Sequence, residues 1–462
     1  MAESNTMKHQ ILAITFLALL LSGCGNDDAT EEPQAAAFDG MLVQLRVPEG
    51  SDLSSFLESD VLDWSGRSGA DVEFVEDSKL QDVQPGDLLV VRLSDVVELE
   101  GQLAVVPDGY PGLDELQWNT TLRGLRDRVA KRGSVPMVMP FSSPTLVCYY
   151  RKDLLDKASL EPPKTWNDYH TLIGMIDEWA PGLKVAEPLG PEARVAGFAA
   201  RAMAYSHPEG SLSLFFDLTS GKPLVSSPGF VRAVEELKSA APSLEDSWTL
   251  SIADCRRELL EGRAAIGFAF EPVLGADNEV QRGDGVELAF CPVPGSTKVY
   301  NRSLDEWKET DLNQPGLVGI DGLVACVVKG DTTAELAGFS LLTAVADRIM
   351  KSLDTPVRGV TAEWQVDAAS DLFKPLTETE ARSYVGATVK LSRSTNLVRH
   401  LPIPNGDAFS KVLAEVLSPE SLAQKSANEI VSDLGKRWSE LIEKHGKDAF
   451  VKSFRWNSGL KP

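Results

Sequence analysis

Apolar residues along the chain fall into two patterns, short continuous runs and repeats at three-to-four-residue spacing. Met41–Val47, Asp71–Val75 and Asp87–Leu93 read as strands, and Asp87–Leu93 (DLLVVRL) has the near-continuous apolar character of a strand buried on both faces. Between the first two, Leu53, Phe56, Leu57 and Val61 share one helical face over Asp52–Trp64. Leu116–Lys131 predicts a further helix, and Pro136–Pro140 leads into a strand over Thr145–Tyr150. Thr165 and Asp168 have capping-box spacing. Trp166, Tyr169, Ile173, Ile176 and Ala180 line the face that follows, and Pro181-Gly182 stops it.

The alternation continues. Helices over Phe230–Ala241 and Ile252–Gly262 precede strands at Ala264–Phe270, Val286–Val293 and Leu323–Val328. Thr332 and Glu335 cap a helix whose stripe is Leu336, Phe339, Leu342, Val345 and Ile349. Ser418 and Pro419 open a helical tail with Ala427, Ile430, Val431, Leu434, Trp438, Leu441 and Ile442 on one side. Strands alternating with helices predict an α/β fold, and 462 residues exceed what one core usually serves, which predicts two lobes.

The first residues carry a different signal. Lys8 and His9 precede the apolar run Ile11–Leu21, which has signal-peptide length and is short for a membrane span. It ends in Leu21-Ser22-Gly23-Cys24, similar to the bacterial lipobox, so residues 1–23 read as a lipoprotein signal peptide and Cys24 as the lipidated residue. Residues 24–37 are acidic and poor in apolar anchors, as suits a flexible tether. A lipid on Cys24 would hold the protein at the extracytoplasmic face of the cell envelope.

A net charge of −23 with no basic stripe argues against nucleic-acid binding. Cys148, Cys255, Cys291 and Cys326 form no CxxC pair, so they read first as buried small hydrophobes, with disulfides as the alternative. No P-loop, GxSxG elbow or HExxH motif is present, and the histidines are scattered, so no catalytic residue, metal or cofactor is assigned.

Tyr149–Leu172 (YYRKDLLDKASLEPPKTWNDYHTL) is the most specific stretch. It resembles the signature of family 1 of the extracellular solute-binding proteins, the maltose-binding-protein-like receptors of ABC importers. Weaker similar segments follow the family's order: Asp87–Asp108, Leu260–Ile266, Leu288–Pro294, Leu317–Ala346, Thr355–Arg358 and Ser418–Trp438. The resemblance implies a periplasmic-binding-protein-like class II fold, two α/β lobes joined by several hinge crossings. Carried onto this chain, it implies one lobe at 38–143 and 287–350 and the other at 144–286 and 351–462. The sequence departs from the family in three places. The stretch from Val75 to Asp87 is short, and two tryptophans that often lie near the solute fall on Asp321 and on Phe270-Glu271-Pro272.

What the resemblance implies for function is a receptor, expected as a monomer, for a small polar solute. A saccharide is the first choice and ABC permease subunits are the partners. The ligand-binding residues it implies are Ser142, Ser143, Phe270, Glu271, Asp321, Trp364 and Phe409. A binding lipoprotein serving as sensor or scaffold, a non-sugar ligand and an enzyme on a similar fold are the alternatives.

Overall fold

The computed structural model describes residues 37–76, 80, 82–108, 110, 112, 118–274, 280–367 and 369–462. The leader, Cys24 and nearly all of the tether lie outside the described residues. Among the described residues, no helix is long and apolar enough to cross a membrane.

Two sheets organise the chain. The first has five strands in the spatial order Asp71–Glu76, Leu42–Val47, Leu88–Arg92, Leu323–Val327, Met139–Ser142. Its first three strands are parallel, as their intervening helix requires, and Leu323–Val327 is antiparallel to both its neighbours. The helices Leu53–Ser68 and Thr332–Lys351 cover one face, burying Leu57, Val61, Trp64, Phe339, Leu342 and Val345. The second sheet runs Leu288–Pro292, Val147–Arg151, Ala264–Ala269, Lys184–Ala186. Ala264–Ala269 is buried at every position. A Cβ on Gly267 would lie 2.0 Å from the Ala186 carbonyl oxygen, so a side chain there would push the neighbouring strand away.

The second lobe has the larger core. Phe216, Phe409, Trp438 and Phe450 form an aromatic cluster within it, with the Phe216 and Trp438 rings 5.1 Å apart. A further cluster reaches from Val91 and Cys326 of the first sheet to Tyr149, Phe290 and Tyr384 against the second. The lobes therefore share apolar contacts near their crossings. One crossing is Ser142 to Val147. There the Ser142 hydroxyl donates to the Arg358 carbonyl, and Gly359, at φ +131°, leaves 2.5 Å between that hydroxyl and the place a Cβ would occupy.

Several expectations need correction. Residues 287–292 were expected to cross into the first lobe, but Leu288–Pro292 pairs antiparallel with Val147–Arg151 in the second sheet. The return crossing comes later, through Gly316–Val318, which pairs with Leu397–Arg399, and ends at Leu323. Of the helix expected over 116–131, the described part is helical only at 123–130. The helix at Thr332 is capped one residue earlier than expected, by the Asp331 carboxylate accepting from the Ala334 N–H. The tail divides into Pro419–Gln424 and Ala427–His445, because Ser426 and Glu429 form a capping box that starts a new helix. Cys148, Cys255, Cys291 and Cys326 are free thiols; Cys148 and Cys291 face each other across adjacent strands.

Candidate functional site

Four strands end at one place. Leu88–Arg92 delivers Leu93–Glu98, Ala264–Ala269 delivers Phe270–Pro272, Gly316–Val318 delivers Gly319–Asp321, and Leu397–Arg399 delivers His400–Ile403. Three adjoining recesses of about 520, 730 and 350 Å³ meet there, and His400 lines all three. The crevice lies at the carboxyl ends of strands from both lobes, the usual position for a ligand in open α/β folds.

Polar groups are numerous in the lining. Asp95, Glu98, Asp321, Asp407, Glu192 and Glu415 supply carboxylates, Arg194, Arg256, Arg257 and Arg399 guanidiniums, Lys411 an ammonium, and Ser94, Ser251 and Ser410 hydroxyls. Arg92 donates to the Asp321 carboxylate, which also accepts the Gly322 N–H at 2.9 Å. Burial raises the Asp95 pKa, with Ser94 and Arg92 pulling it back and Asp321 adding slightly to the rise. The His400 backbone N–H donates to the Val318 carbonyl at 2.8 Å, fixing the backbone, while ring atom Nδ1 has no partner among the described residues. Burial pushes the His400 ring down to about 4, so at neutral pH it is an uncharged donor and acceptor. Among the described lining residues, Phe270 is the one phenyl, tryptophan or tyrosine side chain, and only 8% of its surface is exposed. The crevice therefore offers hydrogen-bonding groups set among aliphatic surface. Among the described residues, no group of three or more His, Cys, Asp or Glu is placed to hold a metal ion.

The residues singled out in the sequence divide between crevice and interior. Phe270 and Asp321 line the crevice. Ser142 is buried and committed to the Arg358 carbonyl, and Ser143 is buried beside it. Glu271 is corrected from crevice edge to interior. It is 1% exposed, accepts from Arg256 at 2.7 Å and accepts from the Tyr149 hydroxyl at 2.9 Å. Phe409 belongs to the second-lobe aromatic cluster, where an apolar helix face packs as core. Trp364 packs half-buried against the first-lobe core. Sequence reasoning missed His400, Asp95 and Asp407. The signal available was position, since Asp95 and His400 closely follow the strands Leu88–Arg92 and Leu397–Arg399.

The buried histidines make stability depend on pH. Burial, then Arg128 and Arg302, push His207 down to about 3, while the Ser213 backbone opposes slightly. An unfolded histidine titrates near 6.5. Between pH 6.5 and about 4 the unfolded chain thus binds protons that folded His207 and His400 refuse, and stability falls as pH drops. Glu236 acts in the opposite sense. Burial raises it to about 7, so its contribution is present at acid pH and is lost as pH rises through 7. Urea unfolding at pH 7.0 and 4.5 should show His400→Gln losing less stability on acidification than the parent, by about 2 kcal/mol. An unchanged pH dependence would contradict a neutral, buried His400.

Two α/β lobes whose strand ends converge on one crevice suit a protein that binds a small solute. The model of the family described as bacterial extracellular solute-binding protein matches residues 71–310, and the chain belongs to that family. Among solved structures, it is similar to maltose-bound T. maritima MalE3, at 14% identity and a TM-score of 0.58, covering 87% of this chain and 100% of that one. It is also similar to the cyclic alpha-maltosyl-1,6-maltose binding protein from Arthrobacter globiformis, at 14% identity and a TM-score of 0.60, over 87% and 99% of the two chains. An ABC transporter solute-binding protein from Agrobacterium radiobacter K84, in complex with ribitol, shares 15% identity with a TM-score of 0.57 over 87% and 99%. No curated protein matched the sequence.

Proposed function

We propose that this protein is a lipid-anchored receptor that binds a saccharide or related polyol in the crevice around His400 and delivers it to an ABC permease. The observation that carries the reading is the convergence of four strand ends on a lining of carboxylates, hydroxyls, Arg257 and a neutral His400. Such groups match the alternating donors and acceptors of a hydroxyl-rich solute, and the names of the similar structures, with their maltose and ribitol ligands, favour the same chemistry. The scarcity of aromatic faces favours a small or acyclic solute over a long oligosaccharide stacked on rings. The lobes follow the two sheets: 38–142 with 323–351 as the first, and 147–313 with 378–462 as the second. Closure follows because a bridging ligand favours the state in which both lobes touch it.

A thermal-shift panel of sugars, polyols, amino acids and oxyanions tests this. A ligand at a hundredfold excess over its Kd stabilises the folded state by about 2.7 kcal/mol, which raises Tm by several degrees. A sugar or polyol is expected to give that rise, and Asp95→Asn with Asp407→Asn to reduce it. Shifts by amino acids or oxyanions alone would change the ligand class, and no shift from any compound would favour a sensor or scaffold. Mass spectrometry of the membrane-bound protein is expected to show an acylated Cys24 as its first residue.

A further inference from the structure

Arg128, His207 and Arg399 line a small cavity of about 20 Å³ beside the crevice, and none of its lining residues is acidic. Arg128 donates to the carbonyls of Ser211 at 2.8 Å and Thr395 at 3.1 Å. Arg399 donates to the Asn457 carbonyl, while its Nε has no partner among the described residues. His207 is fully buried, and among the described residues its ring meets only the Ser213 backbone, outside good hydrogen-bond geometry. Arg132, also fully buried, donates to the carbonyls of Val129 at 2.7 Å and Lys131 at 2.8 Å, and its Nε and Nη2 have no partner among the described residues. Arg302 donates to the carbonyls of Ser206 and Ser213, both at 3.2 Å. Two carboxylates act on this group from a distance: Asp127 on Arg128 and Asp217 on Arg302. Asp127 is itself bonded to Lys131 at 2.8 Å, and Asp217 to Ser220 at 2.7 Å.

Cations packed together on backbone carbonyls alone repel one another and cost free energy that a nearby anion offsets. The strain shows in the titration of the group. Burial lowers Arg132 to about 10, and burial reinforced by Arg132 and Arg128 holds Arg399 well below the usual arginine range. Guanidinium groups only donate hydrogen bonds, and a neutral imidazole has one N–H to give, so the cavity wall is rich in donors. Its volume is that of about one water-sized sphere. A monatomic anion fits that space.

We propose that this cavity is a halide site, holding chloride between Arg128 and Arg399 with an N–H of His207 as a third donor. The ion would join three separate parts of the chain. These are the segment 123–130, the residue that ends the helix Arg194–Ser206, and the strand Leu397–Arg399 that leads into the crevice at His400. The proposal does not depend on which solute the crevice takes.

The test uses the full mature chain. At constant ionic strength, replacing gluconate by chloride should raise Tm by several degrees, and Arg128→Gln should lose most of that rise. Crystals soaked in bromide should give an anomalous peak between Arg128, His207 and Arg399. A Tm independent of chloride would overturn the proposal, as would a rise unchanged in Arg128→Gln. Bromide found only elsewhere, or water in the cavity of chloride-grown crystals, would overturn it too. A peak without a Tm response would mean an adventitious ion only. If Arg128→Gln does not fold, the bromide peak and the chloride response of the unaltered protein decide.

Discussion

Replacing Arg201 by Met is expected to cost about 3–5 kcal/mol of folding stability, close to the most that a single side chain contributes here. Arg201 and Glu187 are both fully buried and meet as a fork, Nη1 to Oε2 at 2.6 Å and Nη2 to Oε1 at 2.7 Å. The Tyr169 hydroxyl donates to the same carboxylate at 2.9 Å, and the Arg201 guanidinium lies 4.5 Å from the centre of the Trp166 ring. Removing the guanidinium leaves a carboxylate in a site with no access to water, and the cost is its uncompensated charge. The pair as a whole contributes much less than either half suggests, because burying two ions offsets most of their attraction. The double variant Arg201→Met with Glu187→Met should therefore be more stable than Arg201→Met alone. Guanidinium chloride unfolding of the parent, both single variants and the double variant checks this, and a double variant that loses the sum of both single losses would contradict it.

Glu271→Ala is expected to cost a similar amount, about 3–5 kcal/mol, by removing the carboxylate that accepts from Arg256 and Tyr149 inside the second lobe. Tyr149 also packs at 4.5 Å from the Phe290 ring, and Tyr384 accepts the Glu271 N–H at 3.1 Å, so the carboxylate anchors an aromatic corner. Arg256 and Phe270 face the crevice from that corner. The variant should lose stability equally with and without ligand, and its affinity should change less than its stability. Paired denaturation and calorimetric titration distinguish this from a direct ligand contact, which would lower affinity at little cost in stability.

Much of the fold was legible because strands and helices write themselves locally. The continuous apolar run of Asp87–Leu93 became a strand buried along most of its length, and the box from Thr165 to Asp168 forms as its spacing requires. Strand partners are another matter. Leu288–Pro292 has the pattern of a strand in either lobe, and only its pairing with Val147–Arg151 assigns it. The site was less legible for the same reason. Phe409 and Phe270 are both apolar residues near helix or strand ends, yet one completes an aromatic core and the other reaches the crevice. Nothing near Glu271 in sequence announces Tyr149, and a single histidine such as His400 has no local signature at all. Strand direction does carry information, since residues just past a carboxyl end are the ones delivered to the crevice.

The place of Leu323–Val327 in the middle of the first sheet also fixes the order in which the molecule can be finished. It separates Leu88–Arg92 from Met139–Ser142, so until it arrives the sheet is in two pieces with open edges. During synthesis it emerges only after every strand of the second sheet. The second lobe waits as well, because Leu413, Trp438 and Phe454 close its core from the far end of the chain. The second half cannot lock while the ribosome still holds the C-terminal helices. The second lobe stays open until the C-terminal helices are made, the state in which a polypeptide can still be threaded across a membrane.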